Sequence, residues 1–126
     1  MESNAPQSVG RPPSDSQLAD RRATVRYAVN VAVYLVGDTR VCLGLSENMS
    51  EGGLFIGTQC LLPISMQAAI EFTLPGAAQP VVIDAIVRWV RFLPPGMGIQ
   101  FLSVPAEHMD SIRAFFASGA AKPCPL

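Results

Sequence analysis

Apolar and polar positions alternate with a period of two along most of the chain between residues 29 and 101. This period is typical of β-strands that bury one face. The longest one-sided series runs from Val81 to Trp89, and Asp84 and Arg88 fall on its opposite side. The six predicted strands lie near residues 29–35, 41–46, 54–56, 69–74, 81–89 and 97–101. Turn residues separate them, and this spacing predicts an antiparallel barrel or sandwich.

The period becomes helical after the last predicted strand. Between residues 105 and 118, Met109, Ile112 and Phe116 form one apolar stripe. Pro105 suits the first helical position, and Gly119 is a natural C-terminal stop. We therefore predict an all-β domain with one C-terminal helix that plugs or flanks an open end of the barrel.

Composition sets the limits of this domain. The chain has 126 residues, of which 49% are hydrophobic and 15% charged, so it has room for one modest core. Residues 1–20 are rich in serine and proline and predict a flexible tail, as do residues 120–126. The domain is then expected over residues 21–119.

Charge and cysteine usage exclude several classes of protein. The net charge of −1 argues against sequence-independent binding to a nucleic acid polymer. No segment predicts a signal peptide or membrane insertion. Cys42, Cys60 and Cys124 are widely spaced and odd in number, so they predict no disulfide framework. A cytoplasmic protein with reduced thiols is the expectation.

Few residues suggest catalysis. The single histidine, His108, supports neither a metal site nor a catalytic triad, and the carboxylates show no paired spacing. We expect no enzyme activity, no metal and no cofactor. A small barrel enzyme such as a flavin-dependent reductase is a distant alternative. Single-strand nucleic acid binding is another, but a basic groove with exposed aromatic residues is not evident.

Arginines cluster where the polar tail meets the alternating sequence. Arg21, Arg22 and Arg26 account for three of the eight arginines within six residues. Guanidinium groups pair bidentately with phosphate and also recognise the O6/N7 edge of guanine. The alternative is an ordinary solvated charge cluster at the entrance to a domain.

A second polar stretch, Asn48 to Gly53, lies between the second and third predicted strands. One interpretation of this stretch is a tight turn, because Asn and Ser form hydrogen bonds with the local backbone and paired glycines supply positive φ. Asn48 and Ser50 also present hydrogen-bonding atoms that suit a purine edge, and Gly53 lets a ligand approach the backbone.

Together, Arg22-x-x-x-Arg26 and Asn48-x-Ser50-x-x-Gly53 resemble the two-part signature of PilZ domains, over about residues 21–118. The resemblance implies a six-stranded antiparallel β-barrel of the split-barrel type. It implies binding of the bacterial second messenger cyclic di-GMP, with the arginines clasping phosphates and guanine, and the second motif holding the other guanine edge. The chain would then be a receptor whose loop orders on binding to control an unidentified partner protein, as a monomer or weak dimer. The processes controlled by such receptors include motility, pilus function, biofilm formation and virulence.

Two residues qualify this expectation. In PilZ domains an arginine at the position of Arg21 favours binding of a stacked pair of dinucleotides. The alternative interpretation is that Arg21 is an ordinary solvated arginine beside Asp20. Glu51 places a carboxylate inside the second motif, where it opposes an anionic ligand. The competing hypothesis is a protein of the same fold that acts as an adaptor in pilus or motility machinery without binding nucleotide.

Overall fold

Strands dominate the fold, and a single helix lies near the C-terminus. The structure, a computed structural model, describes residues 25–125. The strands are β1 Tyr27–Ala28, β2 Ala32–Val36, β3 Val41–Ser50, β4 Gly53–Gly57, β5 Gln67–Phe72, β6 Val81–Phe92, β7 Pro95–Ser103 and β8 Lys122–Pro123, and the helix α1 is Ala106–Ala117.

Six of these strands close into a barrel. They pair in the order β2-β5-β6-β7-β4-β3, and an additional pairing of β2 with β3 completes the circle. Every pairing is antiparallel. The expectation of a six-stranded antiparallel barrel with one C-terminal helix is confirmed. The two-residue strands β1 and β8 extend the sheet from β3 and were not predicted.

Alternating side chains fill the barrel. Leu35, Ile70, Phe72 and Ile83 are at most 1% exposed and belong to one apolar cluster. The helix contributes Ile112 and Phe116 to the same cluster, in agreement with the predicted apolar stripe. The helix therefore owes its position to burial of this stripe, since its own first turn has no side-chain cap.

Besides a register shift at Leu102 on β7, two β-bulges alter the alternation. In each, one strand gains a residue relative to its partner, between Ser46 and Asn48 on β3 and between Val87 and Trp89 on β6. The sequence pattern placed Trp89 in one stripe with Val87. That prediction is wrong, because the extra residue at Arg88 brings Trp89 to the outer surface, where it is 52% exposed.

Up to its bulge, strand β3 buries the smaller of its two sets of side chains. Cys42, Gly44 and Ser46 face the core and the larger Val41, Leu43 and Leu45 face outward, whereas beyond the bulge Met49 is buried. A Cβ at position 44 would lie 2.6 Å from the carbonyl oxygen of Gly57, so the barrel wall leaves no room there. The Ser46 hydroxyl donates to the Val29 carbonyl oxygen and accepts from the Val31 amide.

Cys42 and Cys60 form a disulfide, with their Cα atoms 5.5 Å apart. The expectation of no disulfide was wrong. The loop after β4 folds back over β3, because the Thr58 hydroxyl donates to the Leu43 carbonyl oxygen at 2.9 Å. Cys60 then donates its backbone amide to the Thr58 hydroxyl at 3.1 Å, and its side chain meets Cys42. Sequence spacing alone does not reveal this contact.

The segment after the helix is tied to the start of the barrel. A flexible tail was expected from residue 120, but Ala121 is buried and β8 pairs with β1. The amide of Cys124 also donates to the carbonyl oxygen of Arg26 at 2.8 Å. Within residues 25–125, no helix is long and apolar enough to cross a membrane.

The disulfide predicts a measurable thiol count. Under denaturing, non-reducing conditions only Cys124 should react with a thiol reagent. Reduction should lower the free energy of unfolding by roughly 3 kcal/mol, because the bond closes an 18-residue separation. Urea unfolding with and without reductant measures this loss. A Cys42→Ala/Cys60→Ala variant is the control and should not respond to reductant. Three reactive thiols in the unreduced protein would contradict the assignment.

Candidate functional site

A groove of about 690 Å³ lies on the outer wall of the barrel. Strands β3, β4, β6 and β7 form its floor, and Arg26 borders it just before β1. This volume falls within the range of small-molecule sites. The principal lining residues are Arg26, Asn48, Ser50, Gly53, Phe55, Arg88, Trp89, Arg91, Gly98 and Gln100.

Arg26 joins the two sequence motifs directly. Its Nε donates to Asn48 Oδ1 at 2.6 Å, and its Nη1 lies 3.5 Å from the hydroxyl oxygen of Ser50. The bulge in β3 precedes Asn48 and turns it toward the groove. Residues 22 positions apart in the chain thus meet at one edge of the groove.

Ser50 and Gly53 hold the turn between β3 and β4. The Ser50 hydroxyl accepts from the Gly52 amide at 3.2 Å and lies 3.4 Å from the Gly53 carbonyl oxygen. A Cβ at position 53 would lie 2.1 Å from the Ile99 carbonyl oxygen. Glycine at this position is therefore required by the close approach of β7, independently of any ligand.

Aromatic side chains form one part of the floor. Trp89 lies directly across from Gly98 on β7, where an added Cβ would meet the indole nitrogen at 2.2 Å. The indole also packs on Phe55, with ring centroids 4.8 Å apart. Because Gly98 lets the indole lie close to the sheet, Trp89 presents exposed aromatic surface to the groove.

Cationic side chains surround this aromatic surface. The guanidinium of Arg91 lies 4.4 Å from the Phe55 centroid and pairs with Glu47 at 2.7 Å. Arg88 donates to the side-chain oxygen of Gln100. Arg88 and Arg26 have no carboxylate partner among residues 25–125. The groove thus combines positive charge with an aromatic surface, which suits a planar, anionic ligand.

Arg26 is held from several directions. Partial burial lowers its pKa from the usual value, and the nearby Cys124 acts in the opposite direction. Arginine remains protonated at neutral pH despite such a shift. The next residue, Tyr27, stacks on Phe116 of the helix with centroids 4.1 Å apart. The helix and β8 therefore fix the backbone that carries Arg26.

Glu51 does not stand alone beside the groove. Its carboxylate accepts from the Nε of Arg113 on α1 at 3.0 Å. This ion pair is partly exposed, so its effect on stability is small. It does neutralise the carboxylate that the sequence analysis identified as unfavourable for an anionic ligand.

Four of the six predicted site residues lie within the part of the chain that the structure describes. It brings Arg26, Asn48, Ser50 and Gly53 together, whereas Arg21 and Arg22 lie outside the described residues. The outward orientation of Trp89 and the position of Arg88 and Arg91 in the groove were not predicted from the sequence. A basic residue on each side of a tryptophan in a strand was the available signal. Within residues 25–125 no group of three metal-ligating side chains is found.

Comparison with known proteins assigns this architecture to a class. The fold is shared with an inhibitor of motility from Bacillus subtilis (MotI/DgrA), at a TM-score of 0.66 and 17% identity, over 79% of this chain and 51% of that protein. It is also shared with the PilZ domain of YcgR from Escherichia coli, described with c-di-GMP. There the TM-score is 0.60 and the identity 18%, over 77% of this chain and 90% of that one. At these identities the likeness establishes the fold alone. The chain spans about half the length of MotI.

Sequence comparison then gives the family. A model of the PilZ domain matches residues 20–118. The chain belongs to the PilZ domain family. No curated protein matches the chain.

Close packing at Gly53 predicts a contrast between neighbouring glycines. Gly53→Ala should lower the free energy of unfolding by roughly 2–3 kcal/mol, because the added carbon displaces the backbone of β7. Gly52→Ala is the matched control, since a Cβ there meets nothing within 4 Å, and should change stability by less than about 0.5 kcal/mol. Urea denaturation of both variants measures the difference. Equal midpoints would contradict the packing account.

Proposed function

We propose that this chain is a non-catalytic receptor that binds cyclic di-GMP in the outer groove. The single observation that supports this most is the contact of Arg26 with Asn48, which joins both halves of the PilZ signature at the groove. Arg26 and Arg22 would contact phosphate and guanine, and Asn48 and Ser50 would contact the second guanine edge and sugar. Arg21 would add positive charge for a second dinucleotide.

The chemistry of the groove fits such a ligand. Cyclic di-GMP carries two phosphates and two purines, and next to its aromatic surface the groove supplies two guanidinium groups, Arg26 and Arg88, that have no carboxylate partner among residues 25–125. Stacking of a base on an aromatic side chain is worth about 1–3 kcal/mol. Trp89 is therefore proposed as a contact for one guanine. YcgR has been described in complex with c-di-GMP, which supports the same ligand here.

Binding is proposed to order the segment that carries Arg21 and Arg22, and so to expose or cover a surface for a downstream protein. Ordering a segment costs conformational entropy, so the expected affinity is roughly micromolar. The relative from Bacillus subtilis is described as an inhibitor of motility. Motility is accordingly one process that the partner would serve, alongside pilus function, biofilm formation or virulence.

One observation favours the competing adaptor function. The Nε of Arg26 is already satisfied by Asn48, so a ligand must share or break that hydrogen bond. If the bond persists, the groove stays closed at this edge and the barrel acts through protein contacts alone. Titration calorimetry with cyclic di-GMP distinguishes the receptor from the adaptor. A receptor should release or absorb heat that saturates with added dinucleotide, whereas an adaptor should give no binding heat.

Removal of one arginine tests the site. Arg26→Ala should weaken cyclic di-GMP binding by roughly 2–5 kcal/mol, because the partner phosphate loses its charge-assisted hydrogen bonds. Arg22→Ala should have an effect of the same size. Arg40→Ala is the matched control, since this arginine lies on the β2–β3 turn, away from the groove. Calorimetry that gives wild-type affinity for both Arg22→Ala and Arg26→Ala would rule out the site.

The ion pair beside the groove gives a second prediction. Arg113→Ala should weaken binding about three- to tenfold, because it leaves the Glu51 carboxylate unpaired near an anionic ligand. Glu51→Gln in the same protein should restore the lost affinity, and the Arg113→Ala effect should shrink at high salt. Calorimetry of the two single variants and the double variant forms the cycle. A double variant that binds cyclic di-GMP no better than Arg113→Ala alone would contradict this electrostatic role.

A further inference from the structure

The outer surface of the β2–β3 hairpin carries an apolar patch that the groove does not use. Val41, Leu43 and Leu45 on β3 are 63%, 57% and 60% exposed, and Tyr34 and Val36 on β2 are about half exposed. Tyr34 pairs across the strands with Leu43, and Val36 pairs with Val41. These five side chains, the hairpin face, therefore form one continuous surface.

The hairpin face follows from the way β3 is built. Its inward positions hold Cys42, Gly44 and Ser46, where the disulfide, the Gly57 carbonyl and the Val29 carbonyl leave space for small side chains only. A one-residue slip would place large side chains against that wall. The face is thus a fixed feature of the barrel, and it contains no charged side chain.

The exposed area of the hairpin face is close to what one protomer buries in a small dimer interface. Five large side chains, each about half exposed, present on the order of 400–500 Å² of apolar surface, as much as the largest patch on most monomers. A two-fold contact doubles this to roughly 900 Å², and the flanking Ala32 and Ala69 bring it toward the ~1,000 Å² expected of a specific interface. A regular two-stranded surface also matches itself, since apolar sheet faces pack on one another about 10 Å apart.

We propose that the hairpin face is a homodimer interface, and that its partner is the same face of a second copy of this chain. The proposed two-fold axis passes near the Tyr34–Leu43 pair. This interface lies beside the groove on the same strand, with the ion pair of Glu47 and Arg91 between them. It leaves the groove open on each protomer, and it does not depend on nucleotide binding.

Sedimentation of the full chain tests the proposal in the absence of nucleotide. Between about 5 µM and about 500 µM the wild type should pass from monomer to dimer, with a Kd of roughly tens of micromolar. Leu43→Glu should raise the Kd at least about 30-fold, because two carboxylates then face each other across the axis. Leu102→Glu is the matched control at another exposed leucine and should leave the Kd within about twofold.

The location of the dimer contact is tested by recording amide chemical shifts while the protein is diluted. Amide shifts that change with concentration should be confined to residues 32–36 and 41–45. Val41→Lys serves as a second variant if Leu43→Glu loses its fold by circular dichroism. A wild type that stays monomeric over the whole range overturns the proposal and leaves the face to a different protein. A Leu43→Glu variant that dimerises like the wild type overturns it as well, because the contact then lies elsewhere.

Discussion

The groove depends on two β-bulges, one on each of the strands that border it. Between Ser46 and Asn48 on β3, and between Val87 and Trp89 on β6, one extra residue breaks the alternation. A regular strand would send Asn48 to the same side as Ser46, which is the core. The bulges instead bring an amide and an indole to the outer wall, and β4 and β7 form the floor between them. Bulges of this kind are common beside functional sites because they redirect a side chain.

The barrel itself was predictable because its main determinants are local. A period of two, interrupted by turn residues, specifies strands that bury one face, and the change to a helical period specifies α1. That Arg26, Asn48, Ser50 and Gly53 lie together was also predictable, since their order and spacing form a pattern that needs no three-dimensional information. The structure adds that Gly53 is required by packing against β7.

The remaining features depend on contacts between distant parts of the chain. A bulge leaves no mark on the hydrophobic period, so Trp89 was assigned to the wrong side. The backbone of Gly57 on the neighbouring strand β4 determines which face of β3 is buried. The Cys42–Cys60 contact depends on the loop after β4, which folds back over β3. The attachment of β8 beside Arg26 likewise joins the two ends of the domain.

We propose that the arginine segment at residues 21–26 and the turn between β3 and β4 together bind cyclic di-GMP. Amide and indole chemical shifts of the full chain, followed during titration with the dinucleotide, test this most directly. Binding in the outer groove predicts saturable shifts at residues 21–26 and 48–53 and at the indole of Trp89, with residues 105–118 changing less. A silent spectrum, or shifts confined to another face of the barrel, would contradict it.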